Sequence, residues 1–170
     1  MKLITPGHAY YASCLEAIQE YADHQVTGYS FLNPAQCDVA ERVARFKTGK
    51  GLPPGYVKAT YLWLVDEGRF LGETSIRHRL TPSLLRYGGH IGYGIRHNEW
   101  GRGLGTAMLA MSLGYAKDHL GFNRVLITCD DDNLASARVI EKNGGILQDK
   151  IKNTVGGKAI TTRRYWVDIP

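Results

Sequence analysis

Cysteine is scarce in this chain of 170 residues: Cys14, Cys37 and Cys129 are odd in number and far apart. That spacing excludes a disulfide framework and a CxxC metal or redox motif, and it suits a reducing compartment such as the cytoplasm. The six histidines show no metal-ligand spacing, so no metal is expected. The N-terminal stretch has no uninterrupted apolar run, so neither a signal peptide nor a membrane span is expected. Polybasic runs are missing too. The formal charge of +5 is spread over 21 basic and 16 acidic residues, which speaks against nucleic acid and fits a solvated surface or an anionic cofactor. No internal repeat or low-complexity stretch occurs. What is present, 44% hydrophobic and 22% charged residues, is ordinary globular composition, and the length suits a single domain over residues 1–170.

Periodicity gives an alternating order of elements. Lys2 to Thr5 reads as a strand and about Gly7 to Ala22 as a helix, with Leu15, Ile18 and Ala22 at helical spacing. A second helix is expected from about Pro34 to Phe46, capped by Asn33, with Val39, Val43 and Phe46 as its stripe. Tyr56 to Asp66 and Phe70 to Arg79 read as a hairpin turned at Glu67-Gly68-Arg69, and Thr81 to Gly89 as a connection or a short helical turn. A long helix from Gly103 to His119 would bury Leu104, Ala107, Met108, Met111 and Tyr115 and stop at Gly121. Arg124 to Cys129 reads as a buried strand, followed by a helix with Leu134, Ala137 and Ile140 inward. Ile146 to Lys152 and Ile160 to Ile169 are expected to close the domain as paired strands.

The chemistry concentrates between Gly89 and Leu109, where an alternating strand enters a glycine-punctuated turn that opens into the long helix. Gly101, Gly103 and Gly105 allow close backbone approach, and a helix start offers unpaired N–H groups to an anion. Arg102 adds a guanidinium fork suited to phosphate. Spacing excludes a Walker loop, and a dinucleotide fingerprint fails because Thr106 stands where its third glycine belongs. A tight turn without a ligand is the plainer alternative. A second motif lies downstream, where Asp130-Asp131-Asp132-Asn133 leads into a helix that ends at Gly144-Gly145.

Strand, glycine turn, helix, strand and Asn-capped helix together resemble the GNAT superfamily of acetyl-CoA-dependent N-acetyltransferases. The turn Trp100-Gly101-Arg102-Gly103-Leu104-Gly105 fits the family pattern at Gly103 and Gly105, with Trp100 where Gln or Arg is usual. Asn133, Ser136, Lys142 and Gly144 meet the second motif. The resemblance implies an α+β fold, a mixed and mostly antiparallel central sheet flanked by helices, with the central strands splayed. It implies acetyl-CoA as co-substrate, its pantetheine arm lying in the splay. The strand before the turn would bulge there, with the backbone of Tyr93, Gly94 and Ile95 bonding the arm and Arg102 to Thr106, Leu104 included, cradling the pyrophosphate. Asn133 would contact the arm, or serve as a plain helix cap. Arg138 and Lys142 would reach the 3′-phosphate, or simply face water.

The same resemblance implies acetyl transfer to a primary amine of a small molecule or protein N-terminus by direct attack. Gly89 occupies the strand position where many relatives carry a catalytic Glu, and Ile140 the position of their acid Tyr. Three candidates remain for proton transfer. Glu73, on the neighbouring strand, is a base acting through water or an edge salt bridge. His90 sits next to the vacated position with the opposite strand parity, and Tyr93 is an acid, a substrate wall or packing. A CoA-binding module without catalysis and a dinucleotide-dependent oxidoreductase are the competing readings. Partners are expected to be an amine acceptor, with no nucleic acid and no membrane, and a homodimer is compatible with the sequence.

Overall fold

The computed structural model describes all residues, 1–170. The chain runs β1 (Lys2–Ile4), α1 (Tyr11–Asp23), α2 (Val39–Thr48), β2 (Ala59–Asp66), β3 (Arg69–Arg77), α3 (Pro82–Arg86), β4 (Ile91–Ile95), α4 (Leu104–Leu120), β5 (Arg124–Asp130), α5 (Leu134–Lys142), β6 (Ile146–Val155) and β7 (Lys158–Asp168). Two antiparallel sheets result, one ordered β1-β2-β3-β4 and the other β5-β7-β6. The expected α+β fold with antiparallel strands between helices is therefore present.

Local chemistry explains most boundaries. Glu67 and Gly68 both take positive φ, 44° and 80°, which suits the two-residue hairpin between β2 and β3. Helix α2 begins later than Asn33 predicts: Asn33 Oδ1 only closes a turn on the Ala35 N–H, whereas Asp38 accepts from the Glu41 N–H and caps the helix. Helix α4 ends at Gly121 with φ 71°, as its sequence requires.

Helices α1 and α2 cover one face of the first sheet, where Cys14, Ala17, Tyr21, Val39 and Val43 pack with Phe31, Trp63 and Phe70. Helix α4 lies between the other face and the second sheet, and it buries Met108, Leu109, Ser112, Leu113 and Ala116. The expected stripe of Leu104, Ala107, Met111 and Tyr115 is only half-buried, because a helix packed on several sides is apolar nearly all round and periodicity does not fix its inner face. On α5 the inward residues are Ala137 and Ile140, while Leu134 in the first turn is exposed.

The sheets touch at one end of β4. The His90 N–H donates to the Leu126 carbonyl at 2.7 Å and the Leu126 N–H donates to His90 Nδ1 at 2.9 Å, after which the strands separate into different sheets. The splay is thus present, but the bulge expected in β4 is not. The β3–β4 register is continuous from Gly72↔Ile95 to Ile76↔Ile91, and the irregularities lie at Leu64/Val65 and Leu147/Asp149.

Candidate active site

Ladder alternation decides which backbone groups line the splay. The Arg77 N–H donates to the His90 carbonyl and the Arg96 N–H to the Leu71 carbonyl, so the bonded pairs along β3 and β4 include Gly92 and Gly94. The N–H and C=O groups of Ile91, Tyr93 and Ile95 consequently turn toward β5. By the same alternation, with Asp131 bonded to Thr161 and Ile169 to Asn123, Thr128 turns its backbone toward β4. Gly94, expected to bond an arm in the gap, is committed to the ladder instead. The Ile95 carbonyl is also occupied, by Tyr21 Oη at 2.7 Å and Trp100 Nε1 at 2.8 Å. Free for a ligand are the amide groups of Ile91 and Tyr93 and the N–H of Ile95.

Along the chain, β4 leads into the glycine turn that opens α4. Gly101 and Gly103 both have φ 77°, a left-handed conformation that side-chain-bearing residues adopt at a cost of about 1–2 kcal/mol. Gly103 caps α4 without a side-chain acceptor, which leaves the N–H groups of Leu104, Gly105 and Thr106 pointing outward. Gly105 lets α4 approach α5: a Cβ there would sit 3.3 Å from Val139 Cγ2. Asn143, not singled out by the sequence, fastens the same junction by donating to the Thr106 and Val139 carbonyls at 3.2 and 2.8 Å. A 17-residue helix with an open, glycine-lined start is suited to a phosphate group. Arg102 is exposed but paired with Glu99, which also binds Arg69, so its guanidinium leans away from a purely phosphate role.

On α5, Asn133 Oδ1 accepts the Ser136 N–H at 3.0 Å, so the capping alternative is realised and only its amide NH2 remains free. Arg138 and Lys142 are exposed and make no ion pair. Tyr93 points across the gap to α5, its hydroxyl 2.9 Å from Ser136 Oγ, and burial pushes its phenol pKa well up. The three proton-transfer candidates therefore do not converge. His90 is buried against Phe122 with its Nδ1 lone pair taken by Leu126, which fixes the Nε2–H tautomer and leaves no basic nitrogen. Burial, then the Arg77 charge, lowers its pKa to about 4. A role as general base is excluded by that geometry.

Glu73 lies on the opposite face of the sheet from Tyr93, 1% exposed, so the edge salt bridge is not what it forms. Its carboxylate accepts from Trp63 Nε1 at 2.8 Å, the Leu32 N–H at 3.1 Å and the Tyr29 hydroxyl at 3.1 Å. Burial raises its pKa to about 7 against the pull of those three donors. No oxygen is open to an incoming amine, so direct deprotonation is sterically closed; of the three donors, Trp63 and Leu32 are buried and Tyr29 is half-buried. The Tyr29 ring lies on Gly94, where a Cβ would be 2.5 Å from Cδ1. Gly89 explains why the usual Glu is missing: its φ is 57° and a Cβ there would lie 2.5 Å from the Leu126 carbonyl oxygen. Ile140 is fully buried in the core, leaving no room for a polar tyrosine role.

No helix is long and apolar enough to cross a membrane, and no cluster of three or more His, Cys, Asp or Glu residues is arranged to hold a metal. Among solved structures, the microcin C7 self-immunity acetyltransferase, crystallised with acetyl-CoA and AMP, superposes with a TM-score of 0.71 at 17% identity, covering 98% of this chain and 91% of that one. A ribosomal-protein α-N-acetyltransferase in complex with coenzyme A gives 0.71 at 16% identity, covering 98% and 93%. These likenesses are of fold. The curated mycothiol acetyltransferase of Salinispora tropica is 32% identical over 92 residues, 54% of this chain but only 30% of that protein's length. Residues 11–146 match the acetyltransferase (GNAT) domain, and on that extent the chain belongs to the GNAT acetyltransferase family.

Proposed function

We infer that this protein is an acetyl-CoA-dependent N-acetyltransferase that moves an acetyl group to a primary amine of a small molecule or a protein N-terminus by direct attack. The observation that carries this reading is the open, glycine-lined start of α4 together with the gap beside β4, whose edge offers unused backbone groups. The residues present fit the co-substrate. The N–H groups of Leu104, Gly105 and Thr106 would hold the pyrophosphate, and Ile91, Tyr93 and Ile95 the amide-bearing arm, as an added strand would. Bound acetyl-CoA supplies an activated thioester and leaves as a thiolate.

The protein's own contribution is placement and proton removal. Tyr93 directs its N–H into the gap, where it would donate to the thioester oxygen and favour charge developing there. The amine proton passes to Tyr29 as the Tyr29 hydroxyl proton passes to Glu73, so the carboxylate serves as base without touching the acceptor. A Glu73 pKa near neutrality suits that exchange. Ser136 holds Tyr93 across the gap.

A CoA-binding module without catalysis is the second reading, supported by Gly89 and Ile140 where many relatives carry acid and base, and by the internal bonding of every side-chain candidate. Calorimetry with acetyl-CoA and a turnover assay on mixed primary amines separate the two. Gly103→Glu is expected to abolish CoA binding without unfolding the domain, because its side chain meets no neighbouring group, its left-handed backbone costs only about 1–2 kcal/mol, and the new carboxylate would occupy the anion site. Undiminished CoA affinity in the folded variant would remove the phosphate assignment.

A further inference from the structure

Cations taken out of water normally face a carboxylate, since an unpaired guanidinium away from solvent is costly. The inward arginines here follow that rule with one exception. Arg96 is bound by Glu16 and Glu20, Arg163 by Asp131 and Arg164 by Asp149. Arg77, at the end of β3, is half-buried and has no carboxylate in ion-pair range. Its Nη1 donates only to the Gly88 and Gly89 carbonyls, at 2.9 and 3.2 Å. The titratable side chains around it are the neutral phenols of Tyr61, Tyr29 and Tyr87 rather than acids, and burial lowers its pKa.

The position of this cation matters more than its isolation. A Cβ on Gly92 would stand 3.8 Å from both Arg77 Nη1 and Nη2 and 3.4 Å from Ser75 Oγ. The guanidinium therefore overhangs β4 two residues from Gly94, on the sheet face that carries Tyr29 and Glu73. Tyr87 leads outward from there into a cleft of about 610 Å³ between α3 and the β6–β7 hairpin. Arg86 and Lys152 line that cleft and no Asp or Glu does. The walls are tied together, since Arg86 Nη2 donates to the Lys152 carbonyl at 2.9 Å, Asn153 Nδ2 to the Arg86 carbonyl at 3.2 Å and Arg164 Nη1 to the Leu85 carbonyl at 3.0 Å.

We propose that the acceptor is a small amine bearing an anionic group, a carboxylate or a phosphate, which docks on Arg77 as its missing counter-ion. Arg86 and Lys152 at the cleft attract it and Arg77 fixes its orientation, placing the amine toward Tyr29. This rests on the acetyltransferase reading. It narrows the acceptor from any primary amine to one class.

Matched amine pairs test it with acetyl-CoA saturating: amino acids against their amides for the carboxylate, and phosphoethanolamine against ethanolamine for the phosphate. The anionic member of at least one pair is expected to have a kcat/KM about tenfold or more above its neutral partner, and the pair that shows it identifies the anion. Arg77→Met should erase the preference through KM, with CoA affinity unchanged. Arg77→Lys should retain part of it. A merely structural arginine would lower both members alike. If Arg77→Met fails to fold, Arg86→Ala and Lys152→Ala, which leave Arg77 in place, should each reduce the ratio severalfold. Binding of CoA with no anionic member favoured, or a preference that survives Arg77→Met, overturns the inference alone; failure to bind CoA overturns the acetyltransferase reading with it.

Discussion

Substituting Glu73 separates its effect on stability from its effect on rate. Burial raises the carboxyl from 4.5 to about 7, so between those values the folded protein holds a proton that the unfolded chain has released. The sign follows: this contribution to stability is greatest below the unfolded pKa and is lost as pH rises through the folded one. At about 1.4 kcal/mol per unit, the window costs about 3–4 kcal/mol, a large share of the ~5–15 kcal/mol that stabilises a domain. Glu73→Gln keeps the shape and can still accept from Trp63 Nε1 and the Leu32 N–H, but carries no charge to desolvate. Urea denaturation of both proteins at pH 5 and pH 8 is expected to show the variant gaining about 2–3 kcal/mol relative to wild type over that interval. His90 works in the opposite sense, because its pKa is lowered to about 4 and its share of stability is lost as pH falls through 6.5 toward that value. Both proteins contain His90, so it cancels in the difference. The same variant should lower kcat/KM at pH 7 by at least about tenfold, near 1.4 kcal/mol, with the deficit shrinking toward pH 9 as more of the amine is already free. A stability difference that does not move between pH 5 and 8 would refute the desolvation argument. Full activity at pH 7 would remove Glu73 from the proton path.

Tyr29→Phe removes the hydroxyl between Glu73 and the acceptor, so its loss in kcat/KM at pH 7 should match that of Glu73→Gln, and the double variant should be no slower than either single one; multiplying losses in steady-state kinetics would place the two residues on separate paths. Gly89→Glu, which restores the base many relatives carry, should lower the melting temperature and yield no gain in rate, because its Cβ would meet the Leu126 carbonyl oxygen at 2.5 Å. A stable, faster Gly89→Glu enzyme would show that β4 and β5 can separate at His90.

Legibility in the sequence followed whether a feature was local. The turn at Gly101 to Gly105 could be recognised because left-handed backbone and a close helix contact demand glycine, and Asn133 because a cap acts within its own helix. Asn33 misled for the same local reason: Asn-Pro opens a turn as readily as a helix, and only the Asp38 cap shows where α2 starts. The inner face of α4 was not readable, since contacts on several sides erase the period. Tyr29 and Leu32 were invisible as site residues because they lie in the connection between α1 and α2, and their bonds to Glu73 span 44 and 41 positions in sequence. Arg77 was missed for a subtler reason. A cation at a strand end looks like surface charge until the fold shows that it is half-buried with no carboxylate in ion-pair range.

The departures from the family pattern form a connected set. With Gly89 pressed against β5, the strand edge cannot carry a base, and a base needs a position where a carboxylate can be desolvated yet still reached. Glu73 meets that condition only because Gly94 has no side chain and admits the Tyr29 ring above it. That stacking closes the face of β4 over Gly94 and leaves Gly92, beneath the Arg77 guanidinium, as the bare stretch of strand beside it. On the proposed assignment, proton removal and acceptor recognition share one face of the sheet, opposite the face where Tyr93 reaches Ser136. A substitution at Gly94 should consequently disturb both, because a methyl group there must displace Tyr29, whereas one at Gly92 should disturb recognition alone.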